Sequence, residues 1–355
     1  MKKLLLISFL FFCFCSLNAQ IITVDNNENS SADYTDLQEA IDNANPGDTI
    51  FVSGSETSYG NIIIEDQVLI FGAGISPNNQ FGRETKVGTV SIARVADDTK
   101  NASSSTLTGL KLSGAFDLDG LADKLLSDIV ITRCYFNNPI NLSYTSDLLF
   151  YNNISVASGS NFSATNSNTN IIVSNNIITA LPGNAIFNNN FNSASILVSN
   201  NYLVGRILAD MMIVTNNVMV LSSSSLFDSD SFVTYSNNLF LTIDVTDLTV
   251  PSGTTTGSDN LINENPMFVF NDDFTKITDE DNLNLEEGSV LINAGTDSKD
   301  IGLTGGAYPW PSLEEAPYFL SLFPPLPQVL EMNLGNTNIA KDGSIQLKFK
   351  ARINN

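Results

Sequence analysis

The 355-residue sequence predicts an all-β chain wound as a right-handed parallel β-helix (solenoid), with an N-terminal capping helix and a C-terminal β-hairpin. Three observations predict it. A short apolar segment centred on Asn-Asn recurs through the middle of the chain. A single amphipathic helix pattern stands before the repeats, where a solenoid must be closed. Two strand-like stretches separated by Asp342-Gly343 follow them.

The repeat justifies the solenoid. Leu148–Ser155, Ile171–Ile178, Ile196–Leu203, Met212–Met219 and Val233–Phe240 align without gaps, each with Asn-Asn at its fifth and sixth places. Ile129–Phe136 fits the same frame with Cys134 for the second Asn, and Leu107–Leu112 fits loosely with Leu110 there. The equivalent positions Leu110, Cys134, Asn153, Asn176, Asn201, Asn217 and Asn238 are separated by 24, 19, 23, 25, 16 and 21 residues. A solenoid allows such scatter, because its strands stay fixed while its turns vary. Ile171 and Val173 alternate on one face of a strand, Ser174-Asn175 breaks the alternation, and Asn176 with Ile178 resumes it. Asn suits such a bend because it tolerates left-handed backbone. Stacked coils would place the second Asn of each repeat over the last, so an inward column can satisfy its amides from coil to coil. Cys134 and Leu110 are expected to end that ladder with apolar contacts. Exposed hairpin turns of a sandwich or propeller would also use Asn-Asn. The flanking strands are nearly continuous in apolar character, however, and the intervening segments are polar and irregular.

Residues 1–19 read as an export signal: Lys2 and Lys3, an apolar run from Leu4 to Phe14, and a small-residue cleavage site at Leu17-Asn18-Ala19. Cys13 and Cys15 raise lipid attachment as an alternative, but the residues before them, Leu10-Phe11-Phe12 and Phe12-Cys13-Phe14, lack the small side chains it prefers. The expected location is extracellular or at the cell surface. The mature chain then holds one cysteine, Cys134, so no disulfide framework exists, and no second apolar run is long enough to be a transmembrane segment. Loss of Lys2 and Lys3 takes the net charge from −22 to −24. Such a chain repels nucleic acid and anionic membranes. Neutral polysaccharide, a cationic partner and calcium-bridged contacts stay open.

The solenoid is expected over residues 20–308, with the capping helix at 33–45. Thr35-Asp36-Leu37-Gln38 reads as a capping box, and Leu37, Ala40, Ile41 and Ala44 follow at helical spacing before Pro46-Gly47 stops the helix. The stretch Tyr34–Val52 resembles the N-terminal cap of pectin-lyase-like right-handed β-helix proteins, and Ile70–Gly74 resembles their next coil. Gly288–Gly295 through Gly305-Gly306, and the Asn18-Ala19-Gln20 ending of the leader, resemble secreted β-helix proteins of Bacteroidetes. The resemblance implies a fold and no particular activity, since lyases, hydrolases, esterases, adhesins and inert members share it. Gly257–Ile262 reads as one further coil. Residues 309–355 read as a Pro-rich connector and a hairpin of Val329–Leu334 with Ile345–Ile353, a cover for the solenoid or, alternatively, a sorting element.

Chemistry is harder to find. Histidine is absent, which excludes serine–histidine catalysis, histidine-based zinc sites and the Gly-His-Gly motif of pectin hydrolases. A polysaccharide lyase needs a cation or metal for the uronate, a base, and a donor to the leaving oxygen. The candidates are Arg133, expected to face solvent at a bend, and Lys111, expected to project from a strand beside no ligand set. Asp97-Asp98 and Asp272-Asp273 read as solvated loops rather than a hydrolase pair. Calcium is the one cofactor the composition invites, through Asp117, Asp119 and Asp123, although the full calcium-loop pattern is missing. Asp228/Asp230 and Asp279-Glu280-Asp281 are poorer sets. The expectation is a non-catalytic β-helix that binds a polysaccharide or cell-surface component along its solenoid face. A divergent lyase or glycoside hydrolase and a passive spacer are the rivals. Aromatic and polar outward columns would favour a binding face; uniform Ser, Thr and Asn would favour the spacer.

Overall fold

The computed structural model describes residues 19–75, 83–97, 99–157, 159–180, 184–188, 191, 195–208, 210–221, 232–242, 256–310, 327–334 and 347–353. The leader (apart from Ala19), Asp228/Asp230, the connector 311–326 and the Asp342-Gly343 turn lie outside them. The chain forms a right-handed parallel β-helix with three sheets, of eleven, nine and seven strands among the described residues. One coil shows the plan. Thr169–Ser174 lies in the first sheet, Ile177–Ala180 in the second and Ala185–Phe187 in the third, and each pairs in parallel with its counterparts one coil away. Pairing in the first two sheets is in register, so their positions form columns along the solenoid; in the third sheet the register shifts at Ala185/Phe187.

Inward columns make the core. Phe116, Phe136, Phe150, Phe162, Phe187 and Phe191 are buried inside it and form a continuous chain of ring contacts with centroids 4.8–5.5 Å apart. Such contacts add to area burial through edge-to-face and offset geometry. Asn-Asn marks the bend from the first sheet to the second. Its first residue takes left-handed backbone in every coil: Asn152, Asn175, Asn200, Asn216 and Asn237 have φ of 51–58°. Gly109, Arg133 and Asp259 hold the same place in other coils, with φ of 72°, 55° and 56°.

The capping helix spans Leu37–Asn43, shorter than the expected 33–45, and Asp36 rather than Thr35 is its N-cap. Asp36 accepts from the Glu39 amide at 2.9 Å, a one-residue shift that frees Gln38 for another task. Gln38 pairs with the backbone of Ile63, donating to its carbonyl at 3.0 Å and accepting from its amide at 2.7 Å. Ile62–Ile64 is the edge strand of the third sheet, so a helix side chain substitutes for the missing neighbouring strand. At the other end of the chain, Pro327–Leu334 and Leu347–Ile353 pair antiparallel, the expected C-terminal hairpin.

Candidate functional site

The second Asn of each repeat points inward and forms a hydrogen-bonded column. Asn176 accepts on Oδ1 from the Asn153 backbone amide at 2.8 Å and from Asn153 Nδ2 at 3.1 Å. Its own Nδ2 donates to the carbonyls of Ser174 and Phe150 at 2.9 and 3.0 Å and to Asn201 Oδ1 at 3.0 Å. Asn201, Asn217 and Asn238 repeat the pattern, and all five inner asparagines are 0% exposed. The column continues beyond both ends expected from the sequence. Asn260 accepts from Asn238 and donates to the Tyr235 carbonyl; its Ser-Asp-Asn context had hidden the motif. At the other end Cys134 does not close the ladder with apolar contacts. Its amide donates to Asn153 Oδ1 at 2.9 Å and its thiol donates to the Thr132 carbonyl at 3.3 Å, the same i−2 acceptor each asparagine uses. Burial pushes this thiol up to about 12. Leu110, one coil further, is buried core.

The first Asn of each repeat has a different task that the sequence did not disclose. Asn237, Asn216, Asn200, Asn175 and Asn152 bind, in that order, a return segment running back along the solenoid. Their Nδ2 groups donate to the Ala294 carbonyl, Thr296 Oγ1, the Asp300 carbonyl, the Leu303 and Gly305 carbonyls, and the Tyr308 carbonyl, at 2.8–3.1 Å. Tyr308 also stacks on Tyr151, with centroids 4.4 Å apart. Close approach explains the glycines: a Cβ on Gly306 would meet Asn200 Oδ1 at 2.6 Å, and one on Gly305 would meet the Asp300 carbonyl at 1.8 Å.

This segment covers the outside of the second sheet. Ile154, Ile177, Tyr202, Val218 and Leu239, which stand over one another on that outer face, pack with Leu291, Ile301, Leu303 and Trp310 in a second apolar core. From Ile154 onward the second sheet is therefore buried on both sides. Its strands consequently read as apolar runs rather than alternating ones.

The candidate catalytic residues lie at the margin of this cover. In the outward column of the second sheet, Lys111 and Tyr135 precede Ile154. Lys111 does not stand alone as expected: its Nζ is 2.9 Å from the buried Glu84 carboxylate and 5.3 Å above the Tyr135 ring. Tyr135 is pushed above the ordinary phenol range by burial, with the charges of Asp279 and Glu84 adding to it. Arg133 does not face solvent. It continues the outer column one coil beyond Asn152, is 8% exposed, and is engaged in the structure. The outer side of this bend is a packed seam in the coils above, which is why a turn residue there is not a surface residue.

The third sheet carries the calcium candidates. Asp117 and Asp119 project from Phe116–Asp119 on the outer face, and Asn141 from the next coil donates to Asp117 at 2.6 Å. Partial desolvation by the groups around it, then the neighbouring Asp117, raises the Asp119 carboxyl above the usual range although the residue is exposed. Asp123 sits in the exposed turn beyond and does not join them. Among the described residues no three carboxylate or thiol groups are arranged to hold a metal. Asp97, Asp273 and Asp281 serve their own loops, accepting from Thr99, Thr275 and Thr278 respectively. Asp98 lies outside the described residues.

Three kinds of surface result. The second sheet is closed from Ile154 onward and leaves Lys111 and Tyr135 part-exposed at its margin. The third presents Ser91, Asp117, Asn141 and Ser163 in one column and Ala93, Asp119, Ser143 and Thr165 in the next, with no aromatic side chain. The first sheet brings Phe51, Phe71 and Tyr151 outward in one column and aliphatic residues in its neighbour. No helix among the described residues is long and apolar enough to cross a membrane.

Comparison with known proteins adds little. No protein-family model and no curated protein matches the sequence. Among solved structures, an alginate lyase from Paenibacillus sp. str. FPU-7 is similar at 14% identity and a TM-score of 0.27, over 68% of this chain and 95% of that one. So distant a likeness transfers no chemistry, and the β-helix stands on its own strand pairing.

Proposed function

We propose that this chain is an extracellular or cell-surface β-helix that works by binding a surface partner along its first sheet, without catalysis. The location rests on the N-terminal leader pattern of residues 1–19. The observation that carries the binding reading is the difference between the faces. Beyond a single exposed Ile63 at its edge strand, the third sheet offers small polar side chains and a carboxylate pair, and the second is covered from Ile154 onward. The first alone brings apolar and aromatic residues to the surface over consecutive coils.

The non-catalytic half is supported by the state of the candidate groups. A lyase needs an available cation and a base of suitable pKa. Lys111 is neutralised by Glu84, Tyr135 is driven toward its protonated form, and Arg133 is buried. The test is to incubate the leader-free chain with neutral and acidic polysaccharides, with and without calcium. The expected result is neither unsaturated nor new reducing-end products. Either product at a rate above the heat-treated control would reverse the proposal in favour of a divergent lyase or hydrolase.

A further inference from the structure

One outward column of the first sheet stacks Val130, Leu149, Ile172, Leu197 and Ile213 from coil to coil. Ile172 and Ile213 are 37% and 44% exposed and the other three are half-buried. The coil does not demand aliphatic side chains here, because Thr106 and Thr234 occupy the same column in neighbouring coils. With coils about 4.8 Å apart, the five residues form a stripe about 19 Å long.

The stripe has a charged margin. Two residues earlier in each strand stand Asp128, Asp147 and Asn170, exposed along the corner leading into the sheet, followed higher up by exposed Met211. Asn170 Nδ2 donates to Asp147 at 3.1 Å and Ser127 to Asp128 at 3.0 Å; among the described residues neither carboxylate has a cationic partner. The opposite margin is hydroxylic, with Ser174, Ser199 and Thr215.

We propose that this stripe docks a cationic amphipathic helix of a partner protein, a proposal that rests on the binding reading above. An α-helix returns to one face every 5.4 Å, close to the coil spacing, so about four turns would place an apolar residue over each rung. An extended peptide repeats its face at about 6.7 Å and drifts out of step within three rungs. Lysine or arginine along one flank of the helix would meet Asp128 and Asp147. A second copy of this chain fits worse, because each carries a net charge of −22.

The test uses the leader-free chain and a fluorescein-labelled peptide of about 16 residues, with leucine at i, i+3, i+4 and i+7 and lysine elsewhere. Controls are the same composition shuffled to destroy the apolar face, and a version with glutamate for lysine. The face peptide is expected to bind, and both controls to bind at least about tenfold more weakly. Ile172→Thr/Ile213→Thr should weaken binding about tenfold or more with an unchanged urea midpoint, since threonine suits an outward strand position. Asp128→Asn/Asp147→Asn should weaken it and flatten its salt dependence. Equal binding of the shuffled peptide, or unaltered binding to the Ile double variant, would overturn the proposal. So would sedimentation showing self-association of the wild type that the Ile double variant abolishes. Polysaccharide cleavage, measured separately, would instead strike the non-catalytic reading and leave this result distinguishable.

Discussion

Replacing Asn176 by leucine tests the inner column where it is most fully bonded. The side chain satisfies the buried Asn153 amide and donates to the Ser174 and Phe150 carbonyls, all inside the solenoid. Leucine has the same branching but is larger, and it can do none of this. One buried N–H is left without an acceptor and the two carbonyls lose a donor, at about 1–3 kcal/mol for each unsatisfied group. The gain from burying an apolar side chain, about 1.5–3 kcal/mol, offsets part of that loss. The net expectation is a destabilisation of about 3 kcal/mol. Urea unfolding followed by circular dichroism should show a lower midpoint with an unchanged slope. The exposed Asn137→Leu, at an ordinary backbone torsion and with no side-chain hydrogen bond among the described residues, should fall within about 0.5 kcal/mol of wild type. A change below about 1 kcal/mol for Asn176→Leu would refute the assignment of this column as the spine of the fold.

Three further outcomes are expected. Cys134 should resist a thiol reagent until the protein unfolds. Because its folded pKa is raised from 9.0 to about 12, the folded state holds a proton that the unfolded chain releases. Between about pH 9 and 10 stability should therefore fall with a limiting slope of about 1.4 kcal/mol per unit, which Cys134→Ala removes; above pH 10 the raised tyrosines Tyr59, Tyr135 and Tyr202 add a decline of the same sign in both proteins. Asn175→Gly/Asn200→Gly, which keeps the left-handed backbone available, should loosen residues 300–305 while leaving the inner column intact, visible as protease cleavage there without a comparable loss of midpoint. Gly305→Ala should produce the same local release, since its Cβ would lie 1.8 Å from the Asp300 carbonyl; resistance equal to wild type would contradict the close approach.

The solenoid was legible because its strands repeat around one recurring Asn-Asn bend, while the other turns vary in length. Asn-Asn recurs without gaps, so the inner residue of each pair could be named from order alone. What could not be read was the second half of the same motif. The partners of the outer asparagines lie 57 to 156 residues away, in a segment with no repeat of its own. For the same reason Arg133 looked like a surface residue: nothing local indicates that this bend is a seam. Asn260 escaped because Asp259 precedes it in place of asparagine, although Gly109 and Arg133 show that the left-handed place accepts several residue types. The one-residue error at the helix cap reflects two adjacent acceptors, Thr35 and Asp36, which sequence alone does not rank. The partner of Lys111 is hidden in the sequence because Glu84 is a coil away, and register decides which coil.

Hydrogen exchange of side-chain amides gives the most direct measurement of the two-column arrangement. With asparagine side chains labelled, the Nδ2 protons of Asn153, Asn176, Asn201, Asn217 and Asn238 should exchange as slowly as core backbone amides. Those of the exposed Asn137, which has no side-chain hydrogen bond among the described residues, should exchange at free-peptide rates. Fast exchange throughout the first group would mean that these amides face water, and the stacked interior described above would not exist.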